Sequence, residues 1–164
     1  MTGLLDPAAV EPVLWDNGAG ATRELAVAHG PDGQVLWRVS VADLVQDAEF
    51  SRFPDLDRLF VALGPLVLFI GGHPTTMGAG ESVRFAGEAE VTVRPDRPTR
   101  ALNVMTRRGA VRADVRLRDH GGPTNPDASL SIDIGDRVAD VHLETASILP
   151  GHTAQPTRPA EGPR

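Results

Sequence analysis

Arg38 and Ser40 lie in "LWRVSVA", and Asn103 and Arg107 in "ALNVMTRRG", two runs that otherwise read as apolar strands. Side chains alternate along a strand, so Arg38, Ser40 and Ala42 share one face of the first run and Trp37, Val39 and Val41 the other. In the second run Asn103, Met105 and Arg107 share a face, opposite Leu102, Val104 and Thr106. A face of this kind that lines an interior pocket can do one clear piece of chemistry. The guanidinium fork of an arginine matches the two oxygens of a ligand carboxylate. Arginine in an interior is costly unless paired, and Glu24 and Asp57 are carboxylates of the right type for that pairing. Solvated arginines on a wet face satisfy the same pattern, so the residues alone leave both readings open.

Other chemistry finds little support. The histidines, His29, His73, His120, His142 and His152, are scattered, with no HxH or HExxH spacing, so no metal site is expected. All 16 basic residues are arginine, which removes Schiff-base and P-loop lysine chemistry. Cysteine is absent, which excludes thiolate nucleophiles and disulfides. "GAGAT" lacks both the lysine and the spacing of a phosphate loop, and no GxSxG elbow occurs. No cofactor is implied. A net charge of −6 gives nucleic-acid binding no electrostatic support. The longest apolar run, "LFVALGPLVLFIGG", is broken by Gly64-Pro65 and too short for a bilayer, and no signal-peptide pattern opens the chain. The expectation is a cytoplasmic protein with no membrane partner.

The elements that position these residues are short. Seventeen Gly and 14 Pro in 164 residues favour many brief elements over long helices. "TRELAVA" and "LWRVSVA" flank "HGPDGQ", whose Asp32-Gly33 step predicts a β-hairpin. Alternation places Arg23, Leu25 and Val27 on one face and Thr22, Glu24 and Ala26 on the other. "VADLVQDAEF" reads as a helical turn capped by Asp43. Leu59–Leu63 and Leu66–Ile70 read as buried strands. "ESVRFAGEAEVTVRP" reads as two strands about Ala86-Gly87. "AVRADVRLRD" alternates Val111, Ala113, Val115 and Leu117 against Arg112, Asp114, Arg116 and Arg118, a sheet with one wet face. "LSIDI" and "VADVHLE" follow, "SILP" reads as a further strand, and the Pro-rich end reads as disordered. About ten short strands between turn clusters indicate an all-β sandwich or barrel.

Five ordered blocks, "WDNGAGATREL", "WRVSVAD", "FSRFPDLDRLF", "FAGE" and "LNVMTRRG", resemble the HutD/Ves family over about Trp15 to Gly109. The resemblance implies an all-β, cupin-like double-barrel (bicupin) fold. It would form one domain over residues 1–149, its second half trimmed, followed by a disordered tail over 150–164. It also implies a link to histidine utilisation and the binding of an acidic metabolite such as N-formylglutamate rather than catalysis. On that basis Arg38 and Arg107 would meet the ligand carboxylate. Asn17 and Asn103 would supply amide contacts, Ser40 shares their face, and Glu24 would pair with or orient an arginine. The matched Trp15, Arg23, Asp57, Arg58 and Arg108 would support them. Two departures stand out. Ala19 and Asp55 occupy positions where the family prefers glycine, so a positive φ at either would be strained.

The alternative is a cupin-type metal-dependent enzyme acting on a small carboxylate, which needs three or four His or carboxylate ligands. A purely structural or oligomerisation module is the third reading. Cupin-like sheets often pair, which leaves a homodimer open.

Overall fold

In the computed structural model, residues 3–146 are described. Fourteen strands are found among them. They are β1 (Leu4–Leu5), β2 (Val13–Leu14), β3 (Gly20–His29), β4 (Val35–Leu44), β5 (Ala48–Glu49), β6 (Leu56–Ala62) and β7 (Leu66–Ile70), then β8 (His73–Met77), β9 (Ser82–Ala86), β10 (Val91–Pro95), β11 (Thr99–Arg107), β12 (Val111–Asp119), β13 (Leu130–Asp133) and β14 (Arg137–Thr145). One 3-10 turn, Pro7–Ala9, is capped by the Asp6 side chain. No helix among the described residues is long and apolar enough to cross a membrane. The expected strand at 147–150 and the expected tail lie outside the described residues.

The strands form three sheets. A central six-stranded sheet runs β2-β3-β4-β11-β6-β9, and two four-stranded sheets, β5-β10-β7-β8 and β1-β13-β14-β12, complete the set. Alternation in the central strands produces two separate cores. Ala42, Leu44, Phe60, Ala62 and Ala101 pack with Leu66, Leu68, Met77, Val91 and Val93 of the first flanking sheet. Val39, Val41, Leu59, Val61, Leu102 and Val104 pack with Ala113, Ile132, Ala139 and Val141 of the second. Both faces of the central sheet are thus covered, which is why β4, β6 and β11 carry such continuous burial. Each fully buried aliphatic side chain contributes about 1.5–3 kcal/mol through removal from water.

The expected hairpin is β3–β4, closed by Gly33 N–H donating to Gly30 carbonyl at 2.9 Å. A bulge between Glu24 and Ala26 modifies its register. Arg23 and Glu24 stay on opposite faces, but beyond the bulge Val27 stands opposite Arg38 and so shares the Arg38 face, not the Arg23 face. The expected helical turn at Asp43 is not formed. β4 continues through Leu44, and β5 follows at Ala48–Glu49. Ala42 and Leu44 are buried against the first core, and extended backbone is what keeps both on that face. The two strands about Ala86-Gly87 form, but they do not pair with each other. β9 joins β6 in the central sheet, and β10 joins β7 and β5 in the flanking one. β12 carries Val111 and Ala113 buried inward, as its alternation requires.

Candidate functional site

Four neighbouring strands of the central sheet bring the polar residues together. In register, Glu24 of β3 stands opposite Ser40 of β4, Ser40 opposite Asn103 of β11, and Asn103 opposite Phe60 of β6. In the next row Arg38 stands opposite Met105, and Met105 opposite Arg58. Arg38 and Arg58 are therefore two strands apart, about 10 Å at the backbone, on the same face. Above them lies a cavity of about 390 Å³, lined by Arg38, Ser40, Arg58, Asn103 and Met105 from the sheet.

Two loops build its walls. The "WDNGAG" loop supplies Trp15, Asp16 and Asn17. Trp15 N–H donates to the Gly20 carbonyl at 2.9 Å, Gly18 (φ 72°) returns an N–H to the Trp15 carbonyl at 3.0 Å, and the Trp15 Nε1–H donates to Thr22 Oγ1 at 2.8 Å. Asn17, which lines the cavity, accepts from the Ala19 N–H through its Oδ1 at 2.9 Å. A Cβ on Gly20 would collide with the Asp43 carbonyl, so the loop closes onto β4 only with glycine there. Ala19 is buried without a positive φ, so the expected strain does not arise at that position. The opposite wall is Phe50, Ser51 and Phe53, on the segment after β5.

Arg58 dominates the floor. It is 5% exposed, and its guanidinium lies 4.9, 5.5 and 5.1 Å from the ring centroids of Phe50, Phe53 and Phe85. Its Nη2 donates to Asn103 Oδ1 at 3.0 Å and its Nη1 to the Ser51 carbonyl at 3.4 Å, while its buried Nε–H has no acceptor. No carboxylate pairs with it among the described residues. Burial, and then the charge of Arg38, lower its pKa to about 10. Cation–π contacts compensate a buried cation in part, at about 0.5–2 kcal/mol each. Arg38 is held otherwise. Its Nε lies 2.9 Å from Glu24 Oε1, but the N–H is not aimed at that oxygen and forms no hydrogen bond.

The remaining candidates lie elsewhere. Arg107 shares the Asn103 face but sits at the end of β11, where it donates to the Val35 carbonyl at 3.1 Å and Gln34 Oε1 at 2.7 Å. It ties down the hairpin and does not line the cavity. Arg23, on the opposite face from Glu24, pairs with Asp43 at 3.2 Å and donates to the Val10 carbonyl at 2.9 Å, holding the N-terminal segment. Arg108 bridges Asp57 at 2.8 Å and Glu88 at 2.7 Å, away from the cavity. That bridge holds the Glu88 carboxyl down at about 2, chiefly through the Arg108 hydrogen bond. Asp55 has φ 69°, the left-handed conformation expected to be strained for a non-glycine residue, and its N–H donates to Glu88 Oε2 at 2.8 Å. Sequence reasoning gave the phenylalanines no role at the site. For Phe50 and Phe53 the signal is present in "FSRFPDLDRLF", where they closely precede Arg58 of a buried strand; Phe85 is brought in from β9.

The HutD family model matches residues 8–133. The chain belongs to the HutD family. Among relatives of this HutD-family chain are the Protein Ves of Cronobacter sakazakii, 37% identical over 119 residues, and that of Citrobacter koseri, 34% identical over 111 residues. Each match spans 65% of this chain but only 61% and 58% of those proteins. Among solved structures, HutD from Pseudomonas fluorescens SBW25 in a formate condition superposes with a TM-score of 0.72 at 18% identity, covering 88% of this chain and 99% of that one. A conserved protein of unknown function from Pseudomonas aeruginosa PAO1 gives 0.63 at 27% identity, covering 70% and 61%. An RmlC-like cupin from Shewanella frigidimarina gives 0.52 at 10%, covering 66% and 94%, so the fold is cupin-like.

Cupin folds raise the question of a metal. The HutD-family cavity described here is lined by no histidine, and no group of three or more His, Cys, Asp or Glu able to hold a metal occurs among the described residues. Two arginines on the floor repel a cation, so this donor set does not fit a metal centre.

Proposed function

We propose that this protein binds a small acidic metabolite in the cavity beneath Trp15 and Phe53, as a non-enzymatic binding or regulatory protein linked to histidine utilisation. One observation carries the reading: Arg58 is almost wholly buried, stays charged at neutral pH, and has no carboxylate partner among the described residues. A buried cation without a counter-ion is a costly arrangement, and a ligand carboxylate relieves it. Asn103, Ser40 and Asn17 supply polar contacts around that point, and the aromatic walls exclude water and strengthen the attraction. Arg38, kept near by Glu24, lies across the same face. The acidic net charge supports a small-molecule partner over nucleic acid.

Calorimetry against N-formylglutamate, glutamate and urocanate tests the reading. Binding of at least one by the wild-type protein, and its loss in Arg58→Met, is expected. Absence of heat with all three, in protein shown to be folded, overturns it.

A further inference from the structure

The cavity is electrically polarised from floor to mouth. Of the two floor arginines, Arg38 has Glu24, a residue outside the cavity lining, 2.9 Å away to offset its charge, whereas Arg58 has no carboxylate among the described residues, so one positive charge is left over. The mouth is acidic. Asp16 lines it without an ion pair, and Glu49 lines it with Arg52 as its partner at 3.9 Å, both side chains more than half exposed. Arg52 offsets part of the Glu49 charge, and Asp16 leaves the mouth with one negative charge in excess. A ligand carboxylate on Arg58 therefore satisfies the floor completely, and a second carboxylate at the far end of the ligand would meet Asp16 and Glu49.

We propose that the cavity selects a carboxylate whose far end is cationic or an N–H donor, and rejects dicarboxylates of equal length, with Asp16 and Glu49 setting this preference. The inference rests on the binding function proposed above. It also ranks N-formylglutamate, which has two carboxylates, below a monoacid of similar size.

Three unbranched five-carbon acids separate the possibilities: pentanoate, 5-aminopentanoate and glutarate, titrated calorimetrically into the full chain. 5-Aminopentanoate is expected to bind about three- to tenfold tighter than pentanoate, and glutarate about three- to tenfold weaker. In the double variant Asp16→Asn/Glu49→Gln the three are expected to fall within about twofold of one another. Raising the salt from about 20 to about 500 mM should narrow the wild-type ranking in the same way, because the mouth charges are open to solvent. Glutarate binding as tightly as 5-aminopentanoate overturns the inference while leaving carboxylate binding standing. A ranking that survives both the double variant and high salt overturns the assignment to Asp16 and Glu49. If none of the acids binds to folded protein, the proposed function fails, and this inference with it.

Discussion

The two faces of the central sheet, built from the same strands, solve opposite problems. On one face Val39, Val41, Leu59, Val61, Leu102 and Val104 meet the second flanking sheet in a dry aliphatic layer. On the other, the aliphatic packing of Leu44, Phe60 and Ala62 gives way along the same strands to Arg38, Ser40, Arg58 and Asn103. Each polar side chain is one residue away from a dry-core valine or leucine. Period-two alternation lets one strand spend half its residues on stability and the other half on a site, with no loss of register between them.

That division predicts where each substitution acts. The largest stability effect is expected on the dry face. Leu102→Ala should cost about 2–5 kcal/mol in urea unfolding while leaving ligand affinity within about twofold. An affinity loss of comparable size to the stability loss would break the comparison. On the polar face, Arg58→Met should behave conversely. It should lower carboxylate affinity by about a hundredfold while leaving stability unchanged or raised, because replacing a buried unpaired charge with an apolar side chain removes a desolvation cost. A stability loss of several kcal/mol would instead make Arg58 a structural pin.

Alkaline titration sharpens the contrast. The chain contains no lysine, tyrosine or cysteine, so no other side chain has its ordinary pKa near pH 10. Arg58, lowered to about 10 by burial and Arg38, should appear as one group releasing its proton there, and Arg58→Met should abolish that step. The sign follows from the downward shift. Charged Arg58 disfavours folding below pH 10, and the penalty is relieved as the pH rises from about 10 towards the ordinary arginine range. Carboxylate affinity should fall over the same range, by up to about tenfold per pH unit. The smallest effect is expected at the cavity wall. Trp15→Phe removes the 2.8 Å bond to Thr22 and should cost about 1 kcal/mol, with a modest loss of affinity.

Much of this arrangement is written in local pattern. The β3–β4 hairpin follows from Asp32-Gly33 between two alternating runs. The shared face of Arg38 and Ser40, and that of Asn103 and Met105, follow from period two alone. Local pattern fails where distant chain decides. "VADLVQDAEF" has helical composition, but burial of Ala42 and Leu44 against β7 and β10 holds it extended. β9 and β10 read as two strands about one turn, but they join different sheets because their partners, β6 and β7, already lie in different sheets. Asp57 reads as a counter-ion for the cavity, but it belongs to the Arg108 and Glu88 bridge.

The family assignment and the all-β class were thus determined by the sequence itself, because turn residues and alternation act over a few positions. Which arginine faces the cavity was not. Arg38, Arg58 and Arg107 all share the polar face by parity, and only position along the strands separates them. Strand pairing carries Arg107 to the hairpin end, where the Val35 carbonyl and the Gln34 side chain occupy it, and places Arg58 against Phe50 and Phe53 of one segment and Phe85 of the distant β9. Burial depends on what packs above a face, and that is a property of the assembled sheets.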